Sequence, residues 1–282
     1  MSVSPVLKIT ILTENLVRRR NLLAEHGLSL WIEDDADKVL FDSGQTGVYL
    51  HNAKELNIDL TEAHAVVLSH GHYDHGGGLA YFLKEARWPR VFVHPDALLS
   101  KFEKVKDSSE QYKAIGVPWK IGDLDHLEKH LMFNTSTMQI GENMFICSGI
   151  PQTTEFELPS AKLMVKKGDQ MVVDDLHDEQ ILVCQREQGI IVVLGCSHPG
   201  IVNCLKFVQQ LLPGKTIQTI IGGMHLENVN EDRLRQTIMF LSQLNANIVP
   251  LHCTGQNVIW RMKQELGERV LICCTGDEIK LD

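Results

Sequence analysis

Apolar positions along this chain gather into short runs with two periods. Residues 7–13, 28–33 and 39–42 are brief, mostly apolar and bounded by polar or glycine-containing turns, which predicts three β-strands in an antiparallel start. Residues 48–56 have helical spacing and good helix formers, and the strand predicted at 65–68 then runs straight into a histidine cluster. Gly76-Gly77-Gly78, a helix over 79–86 and a buried strand at 91–93 come next. Residues 97–135 are polar, charged and aperiodic, the pattern of an insertion or lid.

Beyond Met138 the strand pattern returns at 145–147, 163–165 and 181–183, read as a second group of strands joined by turns. The last third alternates strand and helix: 190–194, 202–212, 217–221, 232–244, 248–251 and 258–266. Alternation of this kind predicts parallel strands with crossover helices. Without a Gly/Ser-rich or Pro-rich linker, residues 1–282 are expected to form a single domain of two packed halves.

Composition adds exclusions. In 282 residues, 44% hydrophobic and 22% charged content is ordinary for a globular chain, so no special stabilising device is needed. A net charge of -9 argues against a nucleic-acid partner, because phosphate recognition depends on Lys and Arg. The dense basic runs, Arg18-Arg19-Arg20 and Lys166-Lys167, read as solvated faces. Seven cysteines, an odd number lying mostly in apolar runs, read as reduced thiols. No export signal opens the chain and no apolar run approaches the ~18 residues of a membrane span, so the expected location is the cytoplasm, with no membrane partner.

Four apolar strands end in histidine: those leading to His70, His198, His225 and His252. Ligands collect at the carboxyl ends of strands in layered α/β folds, because a rigid sheet aims the loops there at one place. The densest point, Ser69-His70-Gly71-His72-Tyr73-Asp74-His75, packs three imidazoles and a carboxylate into six positions. Such donors suit zinc, iron or manganese. Positions 70 and 72 of an extended loop share a side and can hold one ion, and the following turn can direct Asp74 and His75 to a second. A lone histidine at a strand end is more commonly a hydrogen-bonded core or surface residue; His94 and His177 are read that way, and His26, beside Glu25 and Gly27, as lining the site.

His70-x-His72-x-Asp74-His75 after an apolar strand resembles the signature of the metallo-β-lactamase superfamily. Asp42-Ser43-Gly44 resembles that superfamily's earlier strand-Asp-x-Gly element, whose aspartate supports the metal loop. The resemblance implies an α/β fold of the αββα sandwich type, two mixed β-sheets flanked by helices, holding two divalent metal ions: Zn2+ first, with Mn2+ or Fe as alternatives. More narrowly, Glu25-His26-Gly27-Leu28-Ser29, Gly195-Cys196-Ser197-His198-Pro199-Gly200, Gly222-Gly223-Met224-His225-Leu226 and His252-Cys253-Thr254-Gly255 resemble the dihydropterin-6-ylmethyl-(ribofuranosyl)aminobenzene 5'-phosphate synthase-like branch. Many members of that branch are known only as hydrolases of undefined substrate.

The ligand set so implied is His70, His72, Asp74, His75, His198 and His252. Here the chain departs from the common pattern, in which a Gly-Asp carboxylate bridges both metals; Gly195-Cys196-Ser197-His198 stands instead, so Cys196 or Asp178 are alternatives to His198. Asp42, His26, Cys196 and Asp178 support the ligands or meet the substrate, Asp74 and His225 are catalytic, and His225 is open between metal and substrate. The activity implied is hydrolysis of a phosphate-containing or ester-type small molecule by hydroxide, since a catalytic zinc brings the pKa of water from ~15.7 to ~7. The alternative is transfer, joining a dihydropterin diphosphate to a ribofuranosyl-aminobenzene phosphate with loss of pyrophosphate. A metal sensor or redox protein is a third reading, weakened by the lack of Cys-x-x-Cys spacing. The expected partner is a phosphorylated small molecule, and a homo-oligomer stays open.

Overall fold

Most of the elements form where the apolar runs put them, and β6, β7 and β8 form within the span 97–135 that reads as aperiodic. In chain order come β1 (Leu7–Thr13), β2 (Ser29–Asp34), β3 (Asp37–Phe41), α1 (Val48–Glu55) and β4 (Ala65–Val67). The one-turn helices α2 (Tyr73–Gly76) and α3 (Leu79–Phe82) precede β5 (Arg90–Val93), β6 (Lys101–Lys104), β7 (Tyr112–Ala114) and β8 (Leu131–Phe133). Next are β9 (Met138–Gln139), β10 (Met144–Cys147), β11 (Leu163–Lys167), β12 (Gln170–Val173), β13 (Ile181–Gln185) and β14 (Ile190–Leu194). The chain closes with α4 (Ile201–Leu211), β15 (Ile217–Gly223), α5 (Glu231–Gln243), β16 (Asn247–Leu251), α6 (Gln256–Leu266) and β17 (Glu278–Leu281). The computed structural model describes residues 6–34, 37–82, 89–105, 111–124, 127–158 and 160–281. The helix expected over 79–86 is therefore seen as α3, its remainder lying outside the described residues.

Two compact units divide the chain: one of the segments up to Thr135, Ser160–Asp174 and from Cys274, the other of Ser136–Pro159 and Asp175–Cys273. The first carries a seven-stranded sheet in the order β17-β1-β2-β3-β4-β5-β8. Its start is antiparallel, with Ile9 opposite Ile32 and Trp31 opposite Leu40, and it turns parallel from β3 through β4 and β5 to β8. A parallel pair needs a crossover, and α1 supplies it between β3 and β4. Tyr49 and Ala53 of α1 pack with Trp31, Leu40, Val66 and Val91. Each large apolar side chain so buried stabilises the unit by about 1.5–3 kcal/mol.

The same unit holds a small antiparallel sheet, β12-β11-β6-β7. It corrects the grouping of 163–165 with the later strands, since β11 pairs with β6, inside the span that reads as aperiodic. The physical reason is a polar pairing surface: Lys101 of β6 is buried against Asp174 at 2.6 Å, an ion pair that no apolar period announces. Two mixed sheets were implied; this third sheet is additional among the described residues.

The second unit has a six-stranded sheet, β16-β15-β14-β13-β10-β9, parallel through β14, β15 and β16 as the alternation predicts. Helix α4 begins at Gly200 (φ 107°), which has no capping side chain. Glu157 replaces the cap, accepting the N–H groups of Val202 (3.0 Å) and Asn203 (2.9 Å). Burial raises the Glu157 carboxyl above its ordinary value, with those two bonds working against the rise. Among the described residues no helix is long and apolar enough to cross a membrane.

Candidate metal site

In the first unit the site is built on the ends of β3 and β4. Asp42, leaving β3 with φ 58°, accepts the Ser69 N–H at 2.7 Å on Oδ1 and the Ser69 hydroxyl at 2.7 Å on Oδ2. The same Oδ2 faces His75 Nδ1 at 2.7 Å, so one buried carboxylate sets both the backbone and an imidazole of the 70–75 loop. Glycine is required at position 71, where a Cβ would lie 2.1 Å from the Ala97 carbonyl oxygen.

Residues 115–119, in the span read as insertion or lid, bind this loop. Val117 N–H donates to Gly71 O (3.1 Å), Tyr73 N–H to Ile115 O (2.9 Å) and the Trp119 indole to Gly76 O (2.7 Å). Held this way, His70, His72 and His75 are buried. His70 Nε2 and His72 Nδ1 are 2.9 Å apart, and the His70 and His75 ring centroids 4.3 Å. Asp74 Oδ2 lies 4.0 Å from His75 Nε2 and 3.2 Å from Nε2 of the exposed His26.

In the second unit the strand ends of β14, β15 and β16 carry the donors. Glu179 accepts the N–H groups of Cys196 (3.2 Å) and Ser197 (2.9 Å) on Oε1 and of His198 (3.3 Å) on Oε2, which turns the loop after β14. Ser197 (φ 58°) donates its hydroxyl to Gly223 O at 2.8 Å, tying that loop to the end of β15. His225 (φ 48°) and His252 (φ 49°) follow β15 and β16 in the same left-handed conformation. The His198 and His225 ring centroids are 4.4 Å apart. Donor atoms of Cys196, His198 and His225 lie within 4.8 Å of one another, as do those of Cys196, His252 and Cys253.

The electrostatics of this second cluster are unusual. Burial works to raise the Cys253 thiol, but hydrogen bonding to Cys196 and His225 and the charges of His252 and His225 hold it well below its ordinary range. For His225 burial works downward, and the bond to and charge of Cys253 outweigh it, raising the imidazole. By contrast burial, only partly offset by a hydrogen bond with Thr137, pushes the Cys147 thiol up to about 11.

The sequence-predicted residues thus fall into two sets, each gathered within its own unit: His26, Asp42, His70, His72, Asp74 and His75 in the first, Cys196, His198, His225 and His252 in the second. Asp178 is fully buried just ahead of β13, and it is the neighbouring Glu179 that holds the 196–198 loop. Sequence reasoning missed Glu179, Cys253 and residues 115–119; the acid pair before an apolar strand was the signal for Glu179. His94 accepts the Asp96 N–H at 3.1 Å and caps a short turn, and His177 is exposed. Asp42, Ser197, His225 and His252 are four of the six non-glycine residues with left-handed φ among those described. At on the order of 1–3 kcal/mol each, such strain persists where surrounding contacts over-determine it, and it concentrates at functional sites.

Buried imidazoles facing one another, an adjoining carboxylate and a second carboxylate orienting an imidazole through Nδ1 fit a divalent cation. A sequence model of the metallo-beta-lactamase superfamily matches residues 23–139, the stretch holding Asp42 and the 70–75 loop. The chain belongs to the metallo-beta-lactamase superfamily, and its sheets and helices have that fold. It is 30% identical over 247 residues, 82% of each chain, to the 7,8-dihydropterin-6-methyl-4-(beta-D-ribofuranosyl)-aminobenzene-5'-phosphate synthase of Methanocaldococcus jannaschii. An uncharacterized protein of the same organism is 28% identical over 91% of this chain and 94% of its own. Among solved structures Tm1679, a metal-dependent hydrolase of the beta-lactamase superfamily, matches with a TM-score of 0.82 and 29% identity, covering 98% of this chain and 99% of its own. The fold implies divalent-metal binding, and the donors of this chain are chemically suited to it.

Proposed function

We propose that the protein is a metal-dependent hydrolase acting on a phosphate-containing or ester-type small molecule, with His70, His72, Asp74, His75, His198 and His252 as ligands to two divalent ions, zinc foremost. The observation that carries this is the 70–75 loop: three buried imidazoles and a carboxylate within six consecutive positions, braced by Asp42. When bound, the ions supply Lewis-acid polarisation and a nucleophile at neutral pH. Asp74 accepts the proton of the attacking water, its carboxylate steered by His26 on the exposed side. His225, raised in pKa, donates a hydrogen bond to the substrate oxygen on which charge develops.

A second reading is favoured by the name of the Methanocaldococcus relative: transfer of a dihydropterin-methyl group from its diphosphate to an arylamine carrying ribose phosphate. The same residues would then hold the diphosphate while the amine attacks the methylene carbon. Zinc-loaded protein incubated with a dihydropterin diphosphate and an aminobenzoate-type amine separates the two. Pyrophosphate release without coupled product rejects the transferase; failure to cleave any phosphodiester, phosphomonoester, lactone or thioester in a screen rejects the hydrolase.

A further inference from the structure

The cysteines at the strand ends of the second unit are not used by the mechanism above. Cys196 is buried and Cys253 partly buried, and their sulfur atoms share a 4.8 Å neighbourhood with a ring nitrogen of His252. This closeness is built in. A Cβ on Gly223 would lie 2.6 Å from Cys253 Sγ and 2.4 Å from Gly195 O, so only glycine at the end of β15 leaves room for the thiol beside the 195–196 backbone. The His225 N–H donates to Cys253 Sγ at 3.3 Å, a bond of the kind that supports a metal-bound thiolate from outside its coordination sphere. The backbone of this loop is also committed: Leu226 N–H donates to Cys253 O at 3.2 Å and Met224 N–H to Thr254 Oγ1 at 3.1 Å.

We infer that Cys196, His252 and Cys253 form a soft-donor metal site in which both cysteines bind as thiolates, giving one ion of this protein sulfur ligation. Each thiol releases its proton to solvent as the metal–sulfur bond forms, and no change of oxidation state is involved. Two thiolates and an imidazole select zinc over manganese, whose preference is for oxygen donors. The inference rests on the reading of the chain as a metal-binding protein and adds to it the identity of donors that a histidine-and-carboxylate set does not include.

X-ray absorption at the zinc edge of the full-length protein, loaded with zinc alone, tests it. The expected result is a sulfur shell at ~2.3 Å beside nitrogen and oxygen at ~2.0–2.2 Å. Cys253→Ser should halve the sulfur contribution and the Cys196→Ser/Cys253→Ser pair abolish it. In the unmutated protein, where folding is not in question, zinc should slow alkylation of Cys253 by at least about tenfold relative to chelator-treated protein, because a coordinated thiolate has committed the electron pair that attacks. Zinc bound through nitrogen and oxygen alone, or alkylation indifferent to zinc, overturns this inference and leaves the preceding reading standing. Absence of any bound zinc overturns both.

Discussion

In the first unit three imidazoles and a carboxylate come from six consecutive residues, braced by Asp42 at the end of the neighbouring strand and clamped by residues 115–119. In the second unit five donors, Cys196, His198, His225, His252 and Cys253, arrive from three strand ends. Glu179 there accepts backbone N–H groups of the loop after β14, and left-handed residues do the aiming that a compact motif does in the first. The difference teaches that the same requirement, converging donors, can be met by local spacing or by a sheet with strained exits. The first solution concentrates sensitivity at a few residues, whereas the second spreads it over three loops.

The comparison can be broken most sharply at the compact loop. His70→Ala or His72→Ala should cut metal affinity by more than about 100-fold, since loss of a mere supporting contact already costs ~10–100-fold. Retention of full metal content, by elemental analysis of the purified variant, would remove the loop from the site. Asp74→Asn should lower kcat/KM by ~100–10,000-fold, the range for a general base, while Tm holds, which kinetics on a hydrolysed substrate and a thermal melt decide together.

The two braces sharpen the contrast. Asp42→Asn replaces an acceptor shared by Ser69 and His75 with a donor, and an affinity loss of ~10–100-fold is expected in zinc titrations. Glu179→Gln keeps one oxygen for the Cys196 and Ser197 N–H groups and surrenders the longer contact to His198, so its loss should fall at the low end, ~10-fold. If Glu179→Gln is the more damaging, the second cluster is the one that depends on a single support.

Smaller still is the pH effect of Glu157 beneath α4. Its carboxyl is raised from 4.5, so between that value and the folded one the folded chain keeps a proton that the unfolded chain has lost. The associated stability is fully present below 4.5 and is lost as pH rises through the folded value. Glu157→Gln should flatten that part of a Tm-versus-pH curve, at on the order of 2 °C per kcal/mol for a chain of this size. Smallest is His177→Ala, an exposed side chain whose removal should leave metal content unchanged.

Legibility followed the same division. β1, β14 and the crossover order of the last third were readable because buried strands are continuous apolar runs and helices keep their period. The 70–75 loop was readable because its chemistry lies within six positions. The pairing of β11 with β6 was not, since Lys101 and Asp174 meet across 73 positions and charge carries no period. Cys253 entered the sequence reading only as part of His252-Cys253-Thr254-Gly255, and the approach of Gly223 and His225 sets its thiol apart from those of Cys147 and Cys204.

By itself the sequence determined the superfamily, the strand and helix order of the last third and of most of the first 93 residues, and the donor-rich loop, because those depend on residue spacing along a chain of known geometry. The tertiary structure alone decided that Asp42 and Glu179 brace the two loops, that 115–119 clamps the first, and that two cysteines share a neighbourhood with His252. Each of these is a contact between segments far apart in the chain, selected by burial, steric room and left-handed backbone turns that no local pattern encodes.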